Sequence, residues 1–171
     1  MSHTAVIAGV GPGLGESLAR KFAVEGCDVA LFARSGEYIE TLAEDLPGTG
    51  EAVAIETDLT AVDQIRAGFE TVRSTLGPVD ILVNHASAAS WTGLMDTSVE
   101  EFEDSWAVNG RGAFVCSQEA VGDMLDGSGG TVLFTGATSA VRSLGGAIGF
   151  TSAKFAARGM AMDIAQEYGS E

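Results

Sequence analysis

Seven consecutive residues near the N-terminus, Gly9-Val10-Gly11-Pro12-Gly13-Leu14-Gly15, contain four glycines. They directly follow the apolar run Thr4 to Ala8 and lead into the amphipathic stretch Leu14 to Glu25. A glycine-rich turn between a strand and a helix suits a pyrophosphate. Glycine permits positive φ and close backbone approach, while the free N–H groups and dipole at a helix start favour negative charge. The common G-x-G-x-x-G spacing fails, because from Gly9 and Gly11 the third place falls on Leu14. A nucleoside-triphosphate loop fails too, since no Gly-Lys-Ser or Gly-Lys-Thr occurs.

The elements that must position this loop follow from periodicity. Strands are expected over Thr4 to Ala8, Asp28 to Ala33, Ala52 to Glu56, Val79 to Val83 and Thr131 to Phe134. Helices are expected over Leu14 to Glu25, Glu37 to Leu46, Ala61 to Leu76 and Ala147 to Tyr168. Between the last two strands, Ser98 with Glu101 three places on forms a capping box for one long helix. The apolar face of that helix reads Phe102, Trp106, Ala113, Cys116, Ala120, Met124. Strands alternating with helices imply an α/β fold: a doubly wound parallel sheet with helices on both faces and ligands at the carboxyl ends of the strands. One domain over 1–171 fits a chain of this length.

The spacing that does fit, G-x-x-x-G-x-G at Gly9, Gly13 and Gly15, resembles the short-chain dehydrogenase/reductase family. Four further places agree in order and spacing. Asp58 after the third strand matches the family acid that contacts the adenine amino group, and Asn84-His85-Ala86-Ser87 is similar to the family's Asn-Asn-Ala-Gly. Asn109 matches the family asparagine, and Lys154 the family lysine. The resemblance covers essentially the whole chain and implies a Rossmann-like NAD(P) site. Its cofactor-binding residues would be Gly9, Gly11, Gly13, Leu14, Gly15, Arg34, Ser35, Asp58, Leu59, Asn84, Ala86 and Lys154. Arg34 and Ser35 follow the second strand, where an NAD-preferring enzyme more often places an acid. A guanidinium and a hydroxyl there suit a 2′-phosphate, so NADP(H) is expected over NAD(H), against the alternative of a solvated surface arginine.

The chemical half departs from the family. There a tyrosine four places before the lysine exchanges the proton, the lysine lowers its pKa and holds the ribose, a serine orients the carbonyl, and the asparagine anchors a water relay. Here Phe150 stands at the tyrosine place, and it has no ionisable proton. The only tyrosines, Tyr38 and Tyr168, do not restore the pattern. Counting back from Phe150 to the serine place reaches Ala137 or Thr138, so Thr138 or Ser139 is left to offer a hydroxyl. The expected catalytic set is Asn109, Thr138, Ser139 and Lys154, with Phe150 an apolar wall or simple core packing. His85 is a loop residue or a substitute proton donor.

The reading is a hydride-transferring oxidoreductase acting on a small-molecule alcohol or carbonyl. The alternatives are a non-catalytic dinucleotide-binding sensor or interaction module, and an inactive fragment. The family would continue into further strands, so the chain is expected to be truncated after the sixth helix of that pattern. Its fifth strand would be an open edge, and a homo-oligomer, most simply a dimer, would cover it.

Composition bounds the partners. The 24 acidic and nine basic residues give a formal net charge of -15, which would repel nucleic acid and anionic membranes. It fits either an ordinary acidic protein or one from a halophile. No apolar run is long enough to span a bilayer, and no leader pattern precedes the first strand, so a cytoplasmic location is expected. Cys27 and Cys116 have no partner at ligand spacing, which argues against a disulfide framework or a metal site.

Overall fold

The computed structural model describes residues 2–143 and 145–169. Five strands, β1 (Thr4–Ala8), β2 (Asp28–Ala33), β3 (Ala52–Glu56), β4 (Ile81–Asn84) and β5 (Thr131–Phe134), pair in parallel in the order β3-β2-β1-β4-β5. The sheet is Rossmann-like. The helices are α1 (Leu14–Val24), α2 (Gly36–Glu44), α3 (Val62–Thr75), α4 (Val99–Trp106), α5 (Ala113–Asp126) and α6 (Ile148–Tyr168).

Every residue of β1 is buried, as expected of a central parallel strand covered on both faces. Alternate side chains then serve two cores. Val6 and Ala8 join Phe32, Leu82, Phe69, Val72, Cys116 and Ala120 beneath α3 and α5. Ala5 and Ile7 join Val29, Leu31, Ala19, Ile39 and Leu42 beneath α1 and α2. Phe32 and Phe69 meet edge to face at 5.4 Å between ring centroids, a favoured aromatic geometry. Among the described residues β5 is the outer strand, and its Leu133 is 42% exposed. Among the same residues, no helix is long and apolar enough to cross a membrane.

Two expectations need correction. Strand β4 starts at Ile81 rather than Val79, because the Val79 N–H donates out of the sheet to the Asp123 carboxylate. The long helix after Ser98 begins with the expected capping box but is not continuous: residues Ala107–Gly112 form a π-helical turn between α4 and α5. Asn109 lies in this turn and sends its Nδ2 to the carbonyls of Ser105, 2.8 Å, and Ala88, 2.7 Å. A side chain that competes for the carbonyl four residues back, and for a second one outside the helix, favours such a widened turn. The extra residue rotates the apolar stripe. Cys116, Ala120 and Met124 are buried, whereas Phe102 and Trp106 stay partly exposed, and Trp106 Nε1 donates to Ser152 Oγ on α6.

Candidate active site

In an open parallel sheet the binding crevice lies where the strand order reverses, outside the carboxyl ends of the strands. Here that place is between β1 and β4. The ends of these strands are locked together: Ala8 O accepts from both His85 N and Ala86 N, while Phe32 O accepts from both Gly9 N and Val10 N. Gly9 has φ +106°, and a Cβ there would stand 2.4 Å from the backbone N and Cα of Ala86. Only glycine fits that crossing. Gly13, at φ 107°, then turns the chain into α1.

A cleft of about 390 Å³ opens over this crossing. Of the expected cofactor residues, Gly9, Gly11, Arg34, Asp58, Leu59 and Ala86 line it. Asn84 and Lys154 lie beside it, around a smaller cavity. Gly13, Leu14 and Gly15 lie on the loop and first turn of α1, with Leu14 exposed, and Ser35 is exposed at the start of α2. Arg34 makes no ion pair with the described residues and stands close enough to Asp58 to act on its carboxylate. Asp58 Oδ1 accepts from Thr60 N and Oγ1, both at 2.8 Å, and these bonds hold its pKa below the usual carboxylate value, with Arg34 adding to the effect.

Deeper in, Lys154 is only 5% exposed, so it is not a surface lysine. Its Nζ donates to Thr135 O at 3.1 Å and lies 5.7 Å from the centre of the Phe150 ring. Burial disfavours the ammonium and lowers its pKa. Asn84 Nδ2 donates to Ser117 Oγ at 3.1 Å. The side-chain Oδ1 atoms of Asn84 and Asn109 are buried without a protein partner. Both residues, with Lys154, Thr135 and Leu59, line a cavity of about 10 Å³, close to the room one water needs. Of the two hydroxyl candidates, Ser139 is buried and Thr138 exposed, both in the 3₁₀ turn Thr138–Ala140 that packs against α6.

Sequence reasoning missed Thr135. It is the hub of the site, because its carbonyl holds Lys154 while its Oγ1 stands 2.9 Å from His85 Nδ1. Only its place just after β5 could have marked it. The cleft also takes in Val10 and Pro12 of the glycine-rich loop, and Thr57 and Val108, which carried no motif. A larger groove of about 530 Å³ lies elsewhere, between α5, the outer side of β5 and the end of α6. Its lining is mainly apolar and backbone.

The short chain dehydrogenase family model matches residues 3–171. This chain belongs to the short chain dehydrogenase family. It is 30% identical over 174 residues to the 3-oxoacyl-(acyl-carrier-protein) reductase FabG of Staphylococcus aureus, covering 99% of this chain and 70% of that protein. It is 26% identical to a D-threitol dehydrogenase of Mycolicibacterium smegmatis, covering 96% of this chain and 64% of that one. Among solved structures, an alcohol dehydrogenase from the archaeon Thermococcus sibiricus, complexed with 5-hydroxy-NADP, superposes with a TM-score of 0.93 at 28% identity, over 98% of this chain and 72% of that one. A short-chain dehydrogenase/reductase from Mycobacterium marinum gives 0.86 at 30%, over 96% and 70%. Members of the short chain dehydrogenase family bind a nicotinamide cofactor and act on small molecules. The glycine crossing at Gly9 and the buried Lys154 fit such a group.

Proposed function

We propose that residues 1–171 form one NADP(H)-binding unit that transfers hydride between the nicotinamide and a small-molecule alcohol or carbonyl, with Phe150 replacing the family tyrosine. The observation that carries this reading is one small cavity lined by the buried Lys154 and by Asn84 and Asn109, whose side-chain oxygens have no protein partner. When bound, the nicotinamide supplies or accepts the hydride. The glycine loop, Asp58, Leu59 and Ala86 would hold the dinucleotide, and Arg34 with Ser35 its 2′-phosphate. Support for NADP(H) comes from Arg34 having no ion pair among the described residues, and from the NADP analogue bound by the Thermococcus relative.

Proton movement falls to the groups that remain. A water in the 10 Å³ cavity would donate to the Asn109 and Asn84 oxygens and accept from Lys154 Nζ. Lys154, its pKa lowered by burial, gives up a proton more readily than an exposed lysine. Ser139 or Thr138 would orient the carbonyl oxygen. The two cysteines are buried free thiols, and burial pushes Cys116 up to about 12, so it takes no part in the proposed chemistry; a cytoplasmic location belongs to the same proposal. A homo-oligomer belongs to the same proposal.

Calorimetric titration with NADPH and NADH tests the cofactor half. Saturable binding that favours NADPH, reduced about tenfold or more in Arg34→Ala, is expected from the loss of a charge-assisted contact. Carbonyl-dependent NADPH oxidation tests the chemical half, and Phe150→Tyr is expected to raise it. A wild type that binds NADPH but is inert, with Phe150→Tyr equally inert on a broad carbonyl panel, would favour the non-catalytic binding module instead.

A further inference from the structure

The segment from Ser87 to Thr97 carries no recognisable chemical motif, yet the fold fixes it at two backbone points. Ala88 O accepts from Ser105 Oγ at 3.2 Å and from Asn109 Nδ2 at 2.7 Å. Thr92 O accepts from the N–H of Ile148, the first residue of α6, at 3.2 Å. Trp91 lies between these anchors. Its ring stands 5.4 Å from that of Phe150, centroid to centroid, at an interplanar angle of 51°. Phe150 is buried, whereas Trp91 is 73% exposed. Phe150 in turn lies against the ammonium of Lys154. The order from solvent to the buried cation is therefore Trp91, Phe150, Lys154.

Aromatic rings bury large areas and pair by ring geometry, so a mostly exposed indole propped on a second ring offers a ready partner to a third. The neighbouring exposed side chains Leu94 and Met95 are apolar too. Between His85 and Ser98 the only acidic or basic side chain besides the imidazole is Asp96. Lys154, the cation against the Phe150 ring, is already engaged with Thr135 O. An anionic substrate tail would thus lose hydration against these two rings without gaining a free cation from this segment.

We propose that Trp91 and Phe150 form an aromatic wall that sets specificity, holding an uncharged aromatic group of the alcohol or carbonyl substrate above Lys154. This rests on the cleft being the nicotinamide site, and it names the substrate class for that site.

The test uses the full chain carrying Trp106→Phe, which leaves Trp91 as the sole tryptophan, saturated with oxidised NADP so that no carbonyl is turned over. The probes are 4-phenyl-2-butanone, 2-butanone and acetoacetate. Saturable quenching of Trp91 by the aryl ketone, with affinity about tenfold above that for the other two, is expected. In calorimetry on the parent chain, Trp91→Leu should weaken the aryl ketone by a similar factor while leaving NADPH affinity unchanged. Equal affinities for all three probes, or an aryl affinity untouched by Trp91→Leu, would overturn the wall. NADPH titration keeps the two readings apart. If NADPH does not bind but aryl quenching persists without it, the cofactor reading falls and the wall stands. If NADPH binds and no probe is discriminated, the wall falls alone.

Discussion

His85 and Thr135 join the carboxyl ends of β4 and β5, with the imidazole Nδ1 2.9 Å from the threonine Oγ1. Burial holds the His85 pKa below its ordinary value of 6.5, and the Lys154 ammonium adds to the effect. The imidazole is therefore neutral at pH 7. A depressed folded pKa means that the unfolded chain binds more protons at mildly acidic pH. The stability involved is full above about 6.5 and is lost as pH falls from there through the folded value. His85→Asn, which cannot titrate, should flatten the fall in Tm between pH 7.5 and pH 5.5. Parallel Tm profiles for the two proteins would count against this placement of the imidazole.

Lys154 gives the opposite end of the pH scale. Its pKa lies below the ordinary 10.5 because burial penalises the ammonium. Between the lowered value and 10.5 the unfolded chain again holds the extra proton, so stability rises with pH across that window. Lys154→Met lacks this gain. Urea midpoints at pH 8 and pH 10 should shift in favour of the wild type at the higher pH, and a constant gap would argue that Nζ is solvated.

The glycine loop separates a folding requirement from a binding one. At Gly9, φ is +106° and an added Cβ would meet backbone atoms at 2.4 Å, so Gly9→Ala combines strain with overpacking and should cost about 3 kcal/mol or more. At Gly11 the φ is not positive and nothing lies within 4 Å of an added Cβ. Gly11→Ala should therefore change stability by less than about 0.5 kcal/mol while weakening NADPH, because the new methyl points into open space on the cleft lining. Chemical denaturation and calorimetry on the same preparations check both halves.

The contrast between Gly9 and Trp91 shows what a sequence can carry. The strands were legible because buried parallel strands are nearly continuous apolar runs, as Thr4 to Ala8 shows, and the capping box was legible because Ser98 and Glu101 make it locally. The glycine spacing marked the loop for the same reason. The π turn was not legible, since one of the carbonyls that draws Asn109 belongs to Ala88, 21 residues away. Trp91 and Thr135 enter the site through residues far away in sequence: Ile148, Phe150 and Lys154 of α6, and His85 for Thr135. Local pattern names elements and loops, whereas contacts between distant segments decide which side chains share a site.

Packing of α3 on α5 depends on a charge that sequence alone would class as surface. Arg73 Nε donates to Asp123 Oδ1 at 2.8 Å and Oδ2 at 3.1 Å, and Nη2 to Glu119 Oε2 at 2.9 Å and to its carbonyl at 3.1 Å. Asp123 also accepts from Val79 N, so one guanidinium ties α3 to α5 and to the segment entering β4. Its carbon lies 5.9 Å from the centre of the Phe69 ring. Arg73→Ala would leave Asp123 with only the Val79 N–H and Glu119 with only the Arg66 guanidinium 3.8 Å away, in a chain of net charge -15, and should cost about 2 kcal/mol. Arg73→Lys should recover only part, because an ammonium lacks the planar fork that serves both acids. The comparison that decides the point is Arg20, which bridges Glu16 and Asp45 nearer the surface. Exposed pairs contribute less than about 1 kcal/mol, and salt screens them. Unfolding in low and in molar KCl should leave the Arg73→Ala penalty largely intact while erasing that of Arg20→Ala; equal penalties, equally screened, would place Arg73 among ordinary surface charges.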